Sequence, residues 1–369
     1  MTSFPHVYVH APFCVRRCTY CDFAIAVRPT VPVAEFLEGL RREAARAGDA
    51  AQARTLYIGG GTPSLLGGEG IAELARVVGA PNDLEEFTIE ANPDDVTVDA
   101  ARAWRAAGVN RLSIGVQSFE PAVLAWMHRT HDAEAPARAV RAAREAGIHS
   151  VSLDLIFALP AALERSFESD LERALALGPD HVSLYGLTVE GGTPLARQVA
   201  RGDLHPASEA RYADEYRLAH ERLAAAGFAF YEVSNAARPG HEAVHNSAYW
   251  RGAPYLGLGP SAHSFDGASR WWNAPSYPTW LRHVTAGESA ACGREDLGDA
   301  ARRLERLYLG LRTVRGVELS AGEAREAQGA LRRWSEEGWA TTASREDGGL
   351  LVHLTMTGWL RLDELVASL

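Results

Sequence analysis

The stretch Tyr8-Val9-His10-Ala11-Pro12-Phe13-Cys14-Val15-Arg16-Arg17-Cys18-Thr19-Tyr20-Cys21 sets an apolar, β-branched run directly before a loop with cysteines spaced C-x3-C-x2-C. The run reads as a buried strand, and the cysteines sit just past its C-terminal end. Three thiolates this close can hold three irons of a cubane iron–sulfur cluster, leaving the fourth iron without a cysteine from this loop. Zinc is the competing reading, but structural zinc usually takes four ligands, and the only other cysteine, Cys292, stands in an unrelated context. Three incidental buried thiols are the bland alternative. Arg16 and Arg17 are expected to favour the thiolates, because neighbouring cations lower a thiol pKa.

Outward from this loop the pattern of strand then helix repeats. Runs at Val7 to His10, Thr55 to Ile58, Glu86 to Glu90, Arg111 to Gly115, Ser150 to Ile156 and His181 to Leu184 read as strands. Helical spacing fills Val33 to Ala47, Gly70 to Val78, Asp99 to Ala107, Ala133 to Ala146 and Glu164 to Leu177, with Gly48, Gly108, Gly147 and Gly178 as C-terminal caps. About six βα units in one chain predict a parallel barrel or open α/β sheet, whose chemistry gathers at the C-terminal ends of the strands. A further helix, Glu209 to Ala226, leads into a strand at Phe228 to Val233. Beyond it, Asn235 to Trp280 is rich in Gly, Pro and aromatics and reads as irregular. From about residue 290 two or three helices and a hairpin around Asp347-Gly348-Gly349 resemble a winged-helix module.

The 369 residues suit roughly two domains of about 150, or one barrel with an appendage. A 47% hydrophobic, 23% charged composition excludes general disorder and fibrous repeats. Net charge is −10 and every Lys/Arg position is arginine, so a nucleic-acid partner is not expected. No apolar run of about 20 residues occurs, and Met1-Thr2-Ser3-Phe4-Pro5-His6 lacks the basic and long apolar regions of a secretory signal, so none is expected. The expected location is the cytoplasm, where clustered cysteines stay reduced and favour metal over disulfides.

From Tyr8 through Cys21-Asp22-Phe23 the chain resembles the radical S-adenosylmethionine (SAM) proteins related to oxygen-independent coproporphyrinogen III dehydrogenase, and within them the HemW-type heme chaperones. The resemblance runs to the C-terminal module. It implies a partial (β/α)6 TIM-like barrel over 1–235, an irregular aromatic segment over 236–290, and a winged-helix-like α+β domain over 291–369. It further implies a [4Fe-4S] cluster on Cys14, Cys18 and Cys21, whose open iron takes the amino and carboxylate groups of SAM. Reduction of such a cluster cleaves the sulfonium to a 5′-deoxyadenosyl radical.

Gly60, Gly61 and Thr62, in the glycine run after the second strand, match the family segment that holds the SAM amino group; the close approach of backbone to ligand suits glycine. Glu90 ends the third strand and Gln117 the fourth. Arg129 is a candidate clamp for a carboxylate, and Asp154, a carboxylate in an apolar run, must find a polar partner such as a ribose hydroxyl. Each of these positions, with Tyr8, Tyr20 and Thr188, matches a SAM contact of the family. Any one alone reads as a surface or buried structural residue. Ala158 departs from the family, which commonly has glycine there.

His241-Glu242-Ala243-Val244-His245 formally fits the H-E-x-x-H zinc-protease helix, although Pro239-Gly240 upstream argues against one continuous helix. The same His245 opens His245-Asn246-Ser247-Ala248-Tyr249-Trp250, which is similar to the H-N-x-x-Y-W signature of the heme chaperones. That resemblance implies heme contact by His245, Asn246, Tyr249 and Trp250; imidazole is a good axial ligand and the aromatics suit a macrocycle. The bland reading is that these residues pack the open side of the barrel. Trp271, Trp272 and Trp280 read as packing aromatics.

Phe23 separates the two main functions. The dehydrogenase carries a further cysteine two positions after its third cluster cysteine, and this chain has phenylalanine there. The expected function is therefore heme binding and delivery to a client protein, with a flavodoxin- or ferredoxin-like reductant as partner and a homodimer left open. Coproporphyrinogen oxidation is the alternative and zinc proteolysis a remote one.

Overall fold

A computed structural model describes residues 4–47 and 52–369; Gly48 and Met1 to Ser3 lie outside them. Six strands, β1 (His6–Ala11), β2 (Thr55–Gly60), β3 (Glu86–Ala91), β4 (Arg111–Gln117), β5 (Ser150–Phe157) and β6 (His181–Gly186), run parallel in chain order. Later segments extend both edges, β7 (Ala229–Glu232) and β8 (Asn235–Ala237) beyond β6, and β9 (Leu256–Leu258) parallel to β1. The sheet order is β9-β1-β2-β3-β4-β5-β6-β8-β7. It is an open, partial barrel of the expected class, two strands wider on one side and one on the other.

The register explains the sequence alternation. Tyr8, Tyr57, Thr88 and Arg111 stand opposite one another across β1 to β4, and Ser113, Ser152 and His181 continue the same face. Their chain neighbours Val7, Val9, Leu56, Ile58, Ile89, Leu112, Val151 and Val182 are wholly buried on the other face, in one core with the surrounding helices. A period of two thus puts the apolar set against the helices and a polar and aromatic set inside the barrel. Gly108, Gly147 and Gly178 take positive φ at the helix ends, as expected of C-caps.

Residues 236–290 are not irregular. They hold β8, β9, a helix at Val244–Trp250, strands His263–Phe265 and Ser269–Asn273, and a helix at Tyr277–Ala286. The periodicity is hard to see because the strands are three to five residues long and joined by Gly and Pro. Trp280 is fully buried, its indole N–H donating to Glu43 at 3.0 Å and its ring lying over Gly39, where a Cβ would come within 2.6 Å. A second core, including Leu307, Leu311, Leu331, Trp334, Val352 and Trp359, belongs to the C-terminal helices and the three strands Val317–Leu319, Ala340–Ser344 and Leu350–Leu354.

Candidate functional site

Cys14 ends a two-residue strand paired in parallel with Ala26–Val27, closed by Ala26 N–H to Pro12 O at 2.7 Å and Arg28 N–H to Cys14 O at 2.9 Å. Thr19 fixes the middle of the loop, donating to Met127 O at 3.2 Å and accepting from Leu195 N–H at 2.9 Å. Cys14, Cys18 and Cys21 consequently line one cavity of about 380 Å³ over the C-terminal ends of the strands. No three His, Cys, Asp or Glu side chains among the described residues gather closely enough to hold a single metal ion. Burial raises the Cys14 thiol pKa and pushes Cys21 up to about 11, outweighing Arg17. Arg17 lowers both thiols, as expected of a neighbouring cation, but it is exposed while the thiols are half-buried, so burial outweighs it; Arg16 does not contribute.

The same cavity is lined by Tyr20, Gly60, Gly61, Thr62, Glu90, Gln117, Arg129, Asp154 and Thr188. Gly61 sits so tightly on the cysteine loop that a Cβ would come within 2.6 Å of Phe13 O; its N–H donates to Ala11 O at 2.8 Å. Thr62 follows with N–H to Phe13 O at 2.7 Å and its hydroxyl 3.5 Å from the Cys14 sulfur. Glu90 accepts from the Tyr57 hydroxyl at 2.8 Å and from Gly60 N–H at 3.1 Å, and burial lifts its pKa to about 7. Burial also raises Asp154, held by the Ser113 hydroxyl at 3.0 Å. Arg129 donates to Asn92 Oδ1 and Gly115 O, both at 2.6 Å, yet its buried Nε–H has no partner among the described residues. A buried guanidinium with a spare donor, two acids and a glycine cradle fit a small zwitterion beside the thiols. Gln117 reaches the cavity through a bulge and a φ of +66°. Tyr8 does not line this cavity; it stacks on Tyr57 with ring centroids 6.1 Å apart and faces a second space.

That second cavity, about 620 Å³, shares Asp22, Phe23, Gly60 and Glu90 with the first, so the two abut. Its walls include Tyr249, Trp250, Tyr255 and Phe265, with Glu305 and Leu309 from the C-terminal helix Asp299–Leu311. Tyr249 and Trp250 are where the motif predicts an aromatic surface; Asn246 and His245 line neither cavity. His245 is 0% exposed. Its Nδ1 lies 2.7 Å from the Thr55 hydroxyl and its Nε2 2.8 Å from the Tyr249 hydroxyl, and Tyr57 stacks on the ring. Both nitrogens are occupied, so His245 stands here as a satisfied core histidine and not as an open iron ligand. The zinc-protease reading fails on the same geometry, because the helix starts only at Val244 and leaves His241 in the preceding turn.

The Radical SAM superfamily model matches residues 8–174. The heme chaperone HemW of Mycobacterium tuberculosis is 42% identical over 342 residues, covering 88% of this chain and 86% of that protein. The chain belongs to this family of radical SAM proteins. HemW of Bacillus subtilis is 35% identical over 318 residues, covering 84% of each. Among solved structures, coproporphyrinogen III oxidase (HemN) of Escherichia coli, a radical SAM enzyme, superposes with a TM-score of 0.81 at 24% identity over 98% of this chain and 89% of that one. The two chains thus share one fold over nearly the whole of this one, barrel and C-terminal segment alike.

Several residues of the two cavities escape a sequence reading. Tyr185, in the first cavity, and Tyr57, which lines neither cavity but holds Glu90 from behind, are signalled only by aromatics placed inward on β6 and β2, which also fits simple packing. Asn92, two residues past Glu90, orients Arg129. Tyr255, His263, Phe265 and Arg270 fall in the stretch whose short strands hide their alternation.

Proposed function

We propose that the chain binds a [4Fe-4S] cluster on Cys14, Cys18 and Cys21, SAM in the adjoining cavity and heme in the aromatic one, and hands the heme to a client protein. What carries this reading is the pair of abutting cavities, one with three thiols and one with aromatic walls, in a chain of the heme-chaperone family. When bound, the cluster and SAM supply one-electron chemistry. Arg129 would clamp the SAM carboxylate, Glu90 its amino group, and Asp154 and Gln117 its polar nucleoside atoms, while Gly60 and Gly61 let backbone close around it. Phe23, 59% exposed between the cavities, fills the position at which the dehydrogenase carries a further cysteine. The same apolar side chain, which lines both cavities, would stand between the two ligands. The location in keeping with reduced cluster thiols is the cytoplasm, with a low-potential flavodoxin- or ferredoxin-like protein as electron donor.

Anaerobic reconstitution tests the cluster, with about four irons per chain and iron–sulfur absorbance expected. Stoichiometric zinc without that absorbance overturns it. Hemin titration followed by transfer to an apo heme protein tests the chaperone activity. Steady conversion of coproporphyrinogen III to protoporphyrinogen with SAM and a reductant would favour the dehydrogenase instead.

A further inference from the structure

We propose that His263 ligates the iron of a heme held in the second cavity, an inference that rests on the heme reading above. Three histidines lie in or beside this space. His10 lines it, but its Nε2 is 2.9 Å from Ala24 O and its Nδ1 3.1 Å from the Tyr8 hydroxyl. His245 is set behind Tyr249 with both nitrogens engaged. His263 also lines the cavity; it is exposed, and neither ring nitrogen has a hydrogen-bond partner among the described residues.

The strand His263–Phe265 explains the direction. Its alternation sends Ser264 inward, where the hydroxyl accepts from Gly257 N–H at 2.9 Å, and sends His263 and Phe265 together to the cavity wall. Trp272, the register partner of His263 on the neighbouring strand, stacks on the imidazole with centroids 5.7 Å apart and planes 25° off parallel. That stacking orients the ring, as a ligand to a planar cofactor requires. Partial desolvation against the cavity wall and nearby Arg270 lower the His263 pKa, which favours the neutral imidazole that can bind metal. Trp250, Tyr255, Phe265 and Leu309 offer the apolar surface a macrocycle needs, and a volume of about 620 Å³ is in the range of cofactor sites. Arg270, paired with Glu305 in this structure, is the arginine on that wall and is suited to a propionate.

Hemin is titrated into the whole chain by visible absorption and electron paramagnetic resonance, comparing wild type with His263→Ala, His263→Gln and His245→Gln. The expected result is at least a tenfold weaker affinity and a changed iron spectrum in both His263 variants. Added imidazole should restore the wild-type spectrum in His263→Ala, and His245→Gln should keep it. SAM affinity and iron content serve as the folding control; they should match wild type in His263→Gln. Wild-type spectra and affinity in both His263 variants, or loss of the signature in His245→Gln alone, overturn the assignment and leave the heme reading standing. No saturable hemin binding by wild type overturns the heme reading and this inference with it.

Discussion

His245 Nε2 and the Tyr249 hydroxyl lie 2.8 Å apart, one helical turn from each other on Val244–Trp250. Tyr249 lines the aromatic cavity while His245 is buried against Thr55 behind it, so the histidine of the motif acts by holding the tyrosine in place. Tyr249→Phe removes the hydroxyl and leaves a buried imidazole nitrogen without its partner. The expected loss is about 1–3 kcal/mol of unfolding free energy, read as a lower urea midpoint. An unchanged midpoint would mean that water or a shifted side chain replaces the bond.

The same buried ring makes the fold sensitive to acid. Desolvation, with help from His6 and Arg111, lowers the His245 pKa from 6.5 to about 3. Between those values the unfolded chain binds a proton that the folded chain does not, so stability is present above pH 6.5 and falls as pH drops. One such group contributes a slope of about 1.4 kcal/mol per pH unit in that window. Urea unfolding of wild type and His245→Gln at pH 7, 6, 5 and 4 should show the variant with the shallower slope by about one proton. Parallel slopes would count against it.

Ala158 sits at φ +56°, in left-handed backbone, with its N–H donating to Glu215 Oε2 at 2.7 Å. The glycine common in the family at this position has no Cβ to strain there. Ala158→Gly should therefore stabilise the chain by about 1 kcal/mol, the opposite sign to an ordinary alanine-to-glycine change. Differential scanning calorimetry would show a higher Tm; a lower one would mean that the loop relaxes without the alanine.

The barrel was legible because each of its six strands repeats the same alternation, and the helices between them end on glycines such as Gly108 and Gly147. The three cysteines were legible because they share one short loop. What stayed hidden depends on contacts between distant segments. Whether His245 is open or satisfied is decided by Thr55, 190 residues away, and by the Tyr57 ring, neither of which bears on the local motif. His263 was invisible for a different reason, since a three-residue strand is too short to reveal its face. The lowering effect of Arg17 on the thiols is legible in the sequence, but the larger opposing effect of their burial is not, because it is set by segments distant in the chain.

Gly61 is the point where the glycine run meets the cysteine loop. A Cβ there would stand 2.6 Å from Phe13 O and 2.8 Å from Pro12 O, both backbone atoms that cannot turn aside. Gly61→Ala must push apart the strand end and the loop that carries Cys14. The expected outcome is a chain with wild-type circular dichroism, reduced iron after reconstitution and SAM affinity at least about tenfold weaker, or 1.4 kcal/mol. Full iron loading with unchanged SAM binding would show that the cradle tolerates the shift.

Glu90 gives the SAM site its pH dependence. Its carboxyl is raised to about 7, first by burial and then by neighbouring Asp154, against the lowering effect of Tyr57 and Gly60. A carboxylate accepts hydrogen bonds from the amino N–H groups of SAM, whose nitrogen is neutral when it ligates iron, and a protonated carboxyl accepts them less well. Below about pH 7 the free protein must therefore give up a proton to bind, and affinity should fall by up to about tenfold per pH unit. Isothermal titration of SAM into cluster-loaded protein from pH 8 to 6 should show this fall in wild type, with proton release at the low end. Glu90→Gln should bind more weakly at pH 8 and lose the slope. If the variant keeps the wild-type slope, the titrating group is elsewhere, and Asp154, which faces the same cavity and is also raised by burial, becomes the residue to change.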